Sequence, residues 1–175
     1  MKHHALRRHG LGLAAAVSVG LFLTLIILNY RHAATRADRS LAGRDTGKAV
    51  AYWKIRMQTS KTSQSYEKLT LCCIADKNYG EARKWAVAGL TKFPGCANLS
   101  FNLALLDYYD TRYGESLRRL DDVLRTNGYY PNAHYLKGLV YEAQGDAASA
   151  KKEYVAEVNI NPGSVRAWEK LKGIR

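Results

Sequence analysis

The strings NYGEA (Asn78 to Ala82) and RYGES (Arg112 to Ser116) stand 34 residues apart, and the same step relates positions throughout the second half of the chain. Pro162 falls on Gly128 and then Pro94, Ala150 on Ser116 and Ala82, Gly138 on Ala104 and Thr70. In the forward direction Ala133 falls on Ala167 and His134 on Trp168. A period of this length means stacked copies of one small unit, none able to bury its apolar face alone.

The unit is clearest from Pro131 to Gly163. A first helix is predicted over 132–144. Gly145-Asp146 breaks it, Asp146 N-caps a second helix to about Asn159, and Asn161-Pro162 stops the chain. Gly138 and Ala150 are small residues, one within each helix, where the two helices can approach closely, with Tyr141 and Tyr154 as bulk beside them. Three consecutive units follow, 63–96, 97–130 and 131–164, and a capping helix, Val165 to Lys172, lies within 165–175.

These residues resemble the tetratricopeptide repeat family, whose period is 34. The matching positions are Gly138, Tyr141, Ala150, Tyr154 and Pro162 in the third unit, and Leu69, Tyr79, Ala82 and Pro94 in the first. The second unit has Leu103, Ala104, Tyr113 and Leu120, but Ser116 and Gly128 replace the usual Ala and Pro. The resemblance implies an all-α fold, an α-solenoid of three helical hairpins plus a cap, over about 63–174. It implies repeat packing by Leu69, Ala82, Leu103, Ala104, Gly138, Tyr141, Ala150, Tyr154 and Trp168.

Ahead of the repeats lies a different kind of sequence. Residues 1–10 form a basic tail with His3, His4 and His9. Leu11 to Leu28 is uncharged and aliphatic, and 11–30 is long enough for a hydrocarbon core of about 30 Å. A transmembrane anchor is expected. A cleaved signal peptide is the alternative, but its apolar run is normally shorter and no small-residue site follows Leu28 directly. Residues 31–62 form a basic neck containing an amphipathic helix, 48–58, with Val50, Trp53 and Met57 on one face. That helix either covers the open end of the first repeat or lies on the membrane surface, with Trp53 inserted and Lys54 and Arg56 toward headgroups.

Charge follows this division. The chain has 27 Lys and Arg against 15 Asp and Glu, net +12. The tail carries +3 and residues 31–61 carry +6, so the basicity flanks the apolar run, with Arg31, Arg36 and Arg39 closest to it. Such a distribution points to anionic lipid headgroups and not to nucleic acid. Counting basic residues on either side places the repeats in the cytoplasm. The resemblance to bacterial proteins with one N-terminal anchor and a repeat domain places them in the periplasm, which is the expectation retained.

No nucleophile signature, phosphate loop or metal-spaced His/Cys cluster is present, and no enzyme activity or cofactor is expected. Cys72, Cys73 and Cys96 lack metal spacing, and adjacent Cys72 and Cys73 make a poor disulfide. His134 falls at a packing position, and Asp121-Asp122 reads as a solvated face. In the family the first helix of each unit lines a groove that takes a peptide or helix. Carried onto this chain, the lining is Glu67, Leu71 and Ile74, then Phe101, Leu105, Tyr108 and Tyr109, then Tyr135, Leu139 and Glu142. The groove is apolar and aromatic and lacks the Lys and Asn set of carboxylate-clamping members, with only Asn102 and Asn132 of that type. The expected function is a membrane-anchored adaptor holding a partner protein for assembly of a membrane-associated complex. The alternatives are a structural subunit packed through its transmembrane helix, with Gly12, Gly20 and Ala14 to Ala16 as contacts, or an anionic-lipid binder.

Overall fold

A computed structural model describes residues 46–174. The backbone divides into two compact units at Tyr52 and Trp53, and residues 46–52 are the described part of the first. All described secondary structure is helical: α1 (Thr46–Thr59), α2 (Ser63–Ala75), α3 (Tyr79–Lys92), α4 (Ala97–Tyr109), α5 (Tyr113–Thr126), α6 (Ala133–Ala143), α7 (Ala147–Ile160) and α8 (Val165–Gly173). The hairpins are α2–α3, α4–α5 and α6–α7. Each packs on the next, and the first helices α2, α4 and α6 also touch directly, forming one layer. The helix α8 packs on α7.

The turn inside each hairpin is the same device three times. Lys77, Thr111 and Gly145, again 34 apart, hold positive φ of 59°, 58° and 80°. The next residue turns its N–H back to the helix five residues earlier: Asn78 to Cys73 O, Arg112 to Asp107 O and Asp146 to Tyr141 O, at 2.8–2.9 Å. This left-handed stop satisfies the carbonyls that a helix end leaves open. The following helix then starts on a side-chain cap in two of the three hairpins: Asn78 Oδ1 accepts from Glu81 N–H and Asp146 Oδ1 from Ser149 N–H. The seven-helix tetratricopeptide architecture expected for 63–174 is thus present as a helical solenoid.

Within each hairpin small residues set the helix separation. Ala82, Ser116 and Ala150 are fully buried at the same register. Ser116 Oγ also donates to Ala104 O at 2.8 Å, so the hydroxyl that replaces the usual alanine has a partner. Leu69, Leu103, Ala104 and Tyr154 are 0–1% exposed, and Gly138 is buried too. Tyr141 is half-buried. Trp168 departs from the packing expectation: it is 45% exposed, and its indole N–H donates to Pro162 O at 3.0 Å. The buried residue of that short helix is Ala167, one step earlier, because the capping helix has neighbours on one side only.

No helix among the described residues is long and apolar enough to cross a membrane. The 11–30 run lies outside them, as do Arg31, Arg36 and Arg39. On α1, Trp53 is 7% and Met57 4% exposed, so the indole has little surface to offer headgroups; the outward apolar residue is Ile55, 64% exposed. Lys54 of α1 reaches Glu81 of α3 at 3.6 Å.

Candidate functional site

Among the described residues, clefts open along the layer of first helices. The first, about 290 Å³, is lined by Glu67 and Leu71 of α2, Asn98, Phe101 and Asn102 of α4, and the turn Tyr130-Pro131-Asn132 leading into α6. Phe101 and Tyr130 form its aromatic wall, ring centroids 5.2 Å apart. The Tyr130 hydroxyl donates to Asn98 Oδ1 at 2.8 Å, and Asn98 Nδ2 donates to Glu67 Oε2 at 2.8 Å. This relay fixes the Glu67 carboxylate at the cleft edge. Burial, then the neighbouring Glu67 and Cys96, push the Tyr130 phenol up to about 12, so it stays a donor.

Asn102 lies on the cleft wall, 3% exposed, and its Nδ2 is buried without a hydrogen-bond partner among the described residues. An orphaned buried donor costs about 1–3 kcal/mol, so a group that accepts from it recovers that loss. One repeat later the same position is Leu136, also buried at 3%. The slot accepts an apolar side chain, so packing does not demand the amide.

The second cleft, about 260 Å³, is lined by Tyr108, Leu139, Glu142, Ala143 and Lys170. Glu142 accepts from the Tyr154 hydroxyl at 2.6 Å and pairs with Lys170 at 2.8 Å. Its burial opposes ionisation, but these two hydrogen bonds outweigh it and hold the carboxyl below its ordinary range. Burial, then the bond to Glu142, raises the Tyr154 phenol.

The expected groove residues therefore divide. Leu71 and Phe101 meet at the first cleft, Tyr108 and Leu139 at the second. Phe101, Leu105, Tyr108 and Leu139 also pack on the core formed by Ala104, Leu120, Ala133 and Leu136, so each shows only part of its surface. Ile74, Leu105, Tyr109 and Tyr135 line neither cleft. Tyr135 leans on Tyr154, with centroids 5.8 Å apart. Tyr109, 45% exposed, packs its ring on Tyr79 of α3 at 4.9 Å and also against its neighbour Tyr108, ring centroids 5.8 Å apart.

Two positioning residues were not legible beforehand. Asp107, 1% exposed, accepts from Arg83 at 2.9 Å and from Arg119 at 2.8 Å and forms an ion pair with Arg112 at 2.9 Å, joining the first two repeats. Glu157, also 1% exposed, accepts from the backbone N–H of Asn132 and of Tyr135 at 3.3 Å, so a carboxylate from α7 caps the start of α6. The register held a clue to both: each acid occupies a packing position where sister repeats carry apolar or small residues, Cys73 and Tyr141 for Asp107, Gly89 and Val123 for Glu157. His134 donates to or accepts from Glu153 at 2.7 Å, and Lys137 joins Glu153 to Asp121. Cys72 and Cys73 are buried and form no disulfide among the described residues, and burial raises the Cys73 thiol. Among the described residues no His, Cys, Asp and Glu group is placed to hold a metal.

Neither a protein-family model nor a curated protein matches the sequence. Solved structures do. MamA 41-end from Desulfovibrio magneticus RS-1 aligns at 16% identity over 83% of this chain and 82% of its own, with a TM-score of 0.68. The first tetratricopeptide domain of Spaghetti (RPAP3), bound to the HSP90 peptide SRMEEVD, aligns at 19% identity over 66% and 94%, TM-score 0.61. YrrB, described as a tetratricopeptide protein with an unusual peptide-binding site, aligns at 12% identity over 78% and 71%, TM-score 0.66. On these likenesses and its own repeated turns, the chain has the tetratricopeptide repeat fold.

Proposed function

We propose that this protein is an adaptor whose first-helix layer binds an extended segment of a partner protein, and that residues 11–30 tether it to a membrane beside a complex whose assembly it supports. One observation carries the binding claim. Asn102, whose buried amide nitrogen has no partner among the described residues, lines a cleft beside an aromatic wall. An extended peptide offers unpaired carbonyls and side chains to fill such a cleft. The peptide named with the RPAP3 domain and the peptide site named for YrrB support the reading as relatives in fold. The tether rests on the uncharged run Leu11 to Leu28 and the basic residues that follow it, and the periplasm is the proposed side.

In-cell crosslinking of the full-length chain tests the binding claim. Replacing Phe101, Tyr108 and Tyr135 together by Ala is expected to abolish partner capture while circular dichroism still reports a helical domain. Unchanged capture by the folded variant removes the groove. Replacing residues 11–30 with an unrelated span is expected to preserve capture; its loss instead favours a subunit held through the span itself. Accessibility of a cysteine engineered at Gly114, where a side chain meets nothing, reports the side of the membrane.

A further inference from the structure

The first cleft has a charge preference built into it. Glu67 has no cationic partner among the described residues: its only hydrogen bond there is to neutral Asn98. The carboxylate therefore keeps its charge uncompensated at the rim and retains acceptor capacity on both oxygens. Beside that charge stands the Phe101–Tyr130 wall, and Asn102, whose buried Nδ2 has no hydrogen-bond partner among the described residues, also lines the cleft. A fixed carboxylate next to an aromatic face is the chemistry that holds a guanidinium, which stacks on a ring by its plane and forks onto a carboxylate by its edge. A volume of about 290 Å³ admits one side chain with the peptide unit that carries it.

Building on the groove reading above, we propose that this cleft is an arginine pocket: the partner segment places a guanidinium on Glu67 against Phe101 and Tyr130, and a carbonyl of the same stretch accepts from Asn102 Nδ2. Acidic peptide tails are correspondingly excluded, because a carboxylate entering the cleft meets Glu67 and leaves two like charges in partial burial.

The probe is Nα-acetyl-arginine methylamide, with the norleucine analogue as the uncharged control. Each is titrated into the full-length chain, held in detergent micelles and 15N-labelled at asparagine side chains. The Asn102 amide signal is assigned by its absence in Asn102→Leu. The arginine probe is expected to move that signal, and the norleucine probe to leave it in place. Glu67→Gln keeps the acceptor for Asn98 and removes only the charge; it should weaken the arginine response about tenfold, the loss of one charge-assisted hydrogen bond. An inert arginine probe, an equal norleucine response, or a Glu67→Gln titration that matches the parent overturns the pocket. These failures are separable from failure of the groove. If crosslinking still depends on Phe101, Tyr108 and Tyr135, the groove stands and only its basic anchor is lost. If crosslinking ignores those residues, the groove itself falls.

Discussion

The Tyr154 ring lies directly on Gly138. A methyl group built at position 138 overlaps the ring at Cδ1, Cε1 and Cζ, and Tyr154 is 0% exposed with its hydroxyl bonded to Glu142 at 2.6 Å, so the ring has no vacant direction to move into. The closeness of α6 and α7 in the third repeat depends on that pair.

Gly138→Ala should therefore destabilise the fold by about 1–3 kcal/mol, the cost of overpacking a filled interior. This outcome runs against helix propensity, which favours Ala over Gly by about 1 kcal/mol. Gly114→Ala, where the added methyl meets nothing within 4 Å, should instead stabilise. Urea denaturation of the two variants checks both signs.

Thr111 holds φ 58° where the sister turn has Gly145 at φ 80°. A β-branched residue is strained in that region. Thr111→Gly is expected to stabilise by about 1 kcal/mol despite the added freedom of the unfolded chain, and Gly145→Thr to destabilise by about 1–2 kcal/mol. Equal thermal midpoints for parent and Thr111→Gly would contradict the strain.

Glu153 ties the third repeat to the second through Lys137 and Asp121. Burial pushes the Glu153 carboxyl up, but hydrogen bonds with His134 and Lys137 outweigh it and hold it below 4.5. Burial likewise pulls Lys137 down, but its bonds to Asp121 and Glu153 leave it above 10.5. The carboxylate thus adds stability that is present above pH 4.5 and lost as pH falls through its lower folded value. The ammonium adds stability present below pH 10.5 and lost as pH rises through its higher folded value. Unfolding free energy should decline on acidification below 4.5, and Glu153→Gln should lower the neutral plateau while making that decline shallower. An unaltered acid slope in the variant would count against the assignment.

Asn102→Leu separates stability from binding. The change removes the orphaned donor and copies the buried Leu136 of the next repeat, so the unbound fold should gain about 1 kcal/mol. Partner crosslinking should fall in the same variant. A variant both more stable and fully competent would mean that the amide has no ligand.

Much of the fold was legible because a repeat writes each constraint more than once. Ala82, Ser116 and Ala150 report one close approach three times, and Pro162, Pro94 and Gly128 mark the same stop. The site was less legible because lining a groove and packing a core ask for the same side chains. Phe101, Tyr108 and Leu139 do both, whereas Leu105 packs on the core and lines neither cleft. Trp168 reads as a core residue by register but half faces out, since the last helix has nothing beyond it.

What the amino-acid sequence determined by itself was the period and the helix breaks and caps, all local or periodic properties. It also carries the apolar run at 11–30 with its basic flank. Tertiary structure alone decided which polar groups are satisfied. Asp107 is buried because Arg83 from one hairpin and Arg112 and Arg119 from the next converge on it, Glu157 because a helix start from another segment opens above it, and Asn102 Nδ2 has no partner among the described residues because none of its neighbours there reaches it. Apart from the Arg112–Asp107 pair across the hairpin turn, such pairings join residues 12 to 25 positions apart, or fail to, by the way helices stack, and no local pattern records them.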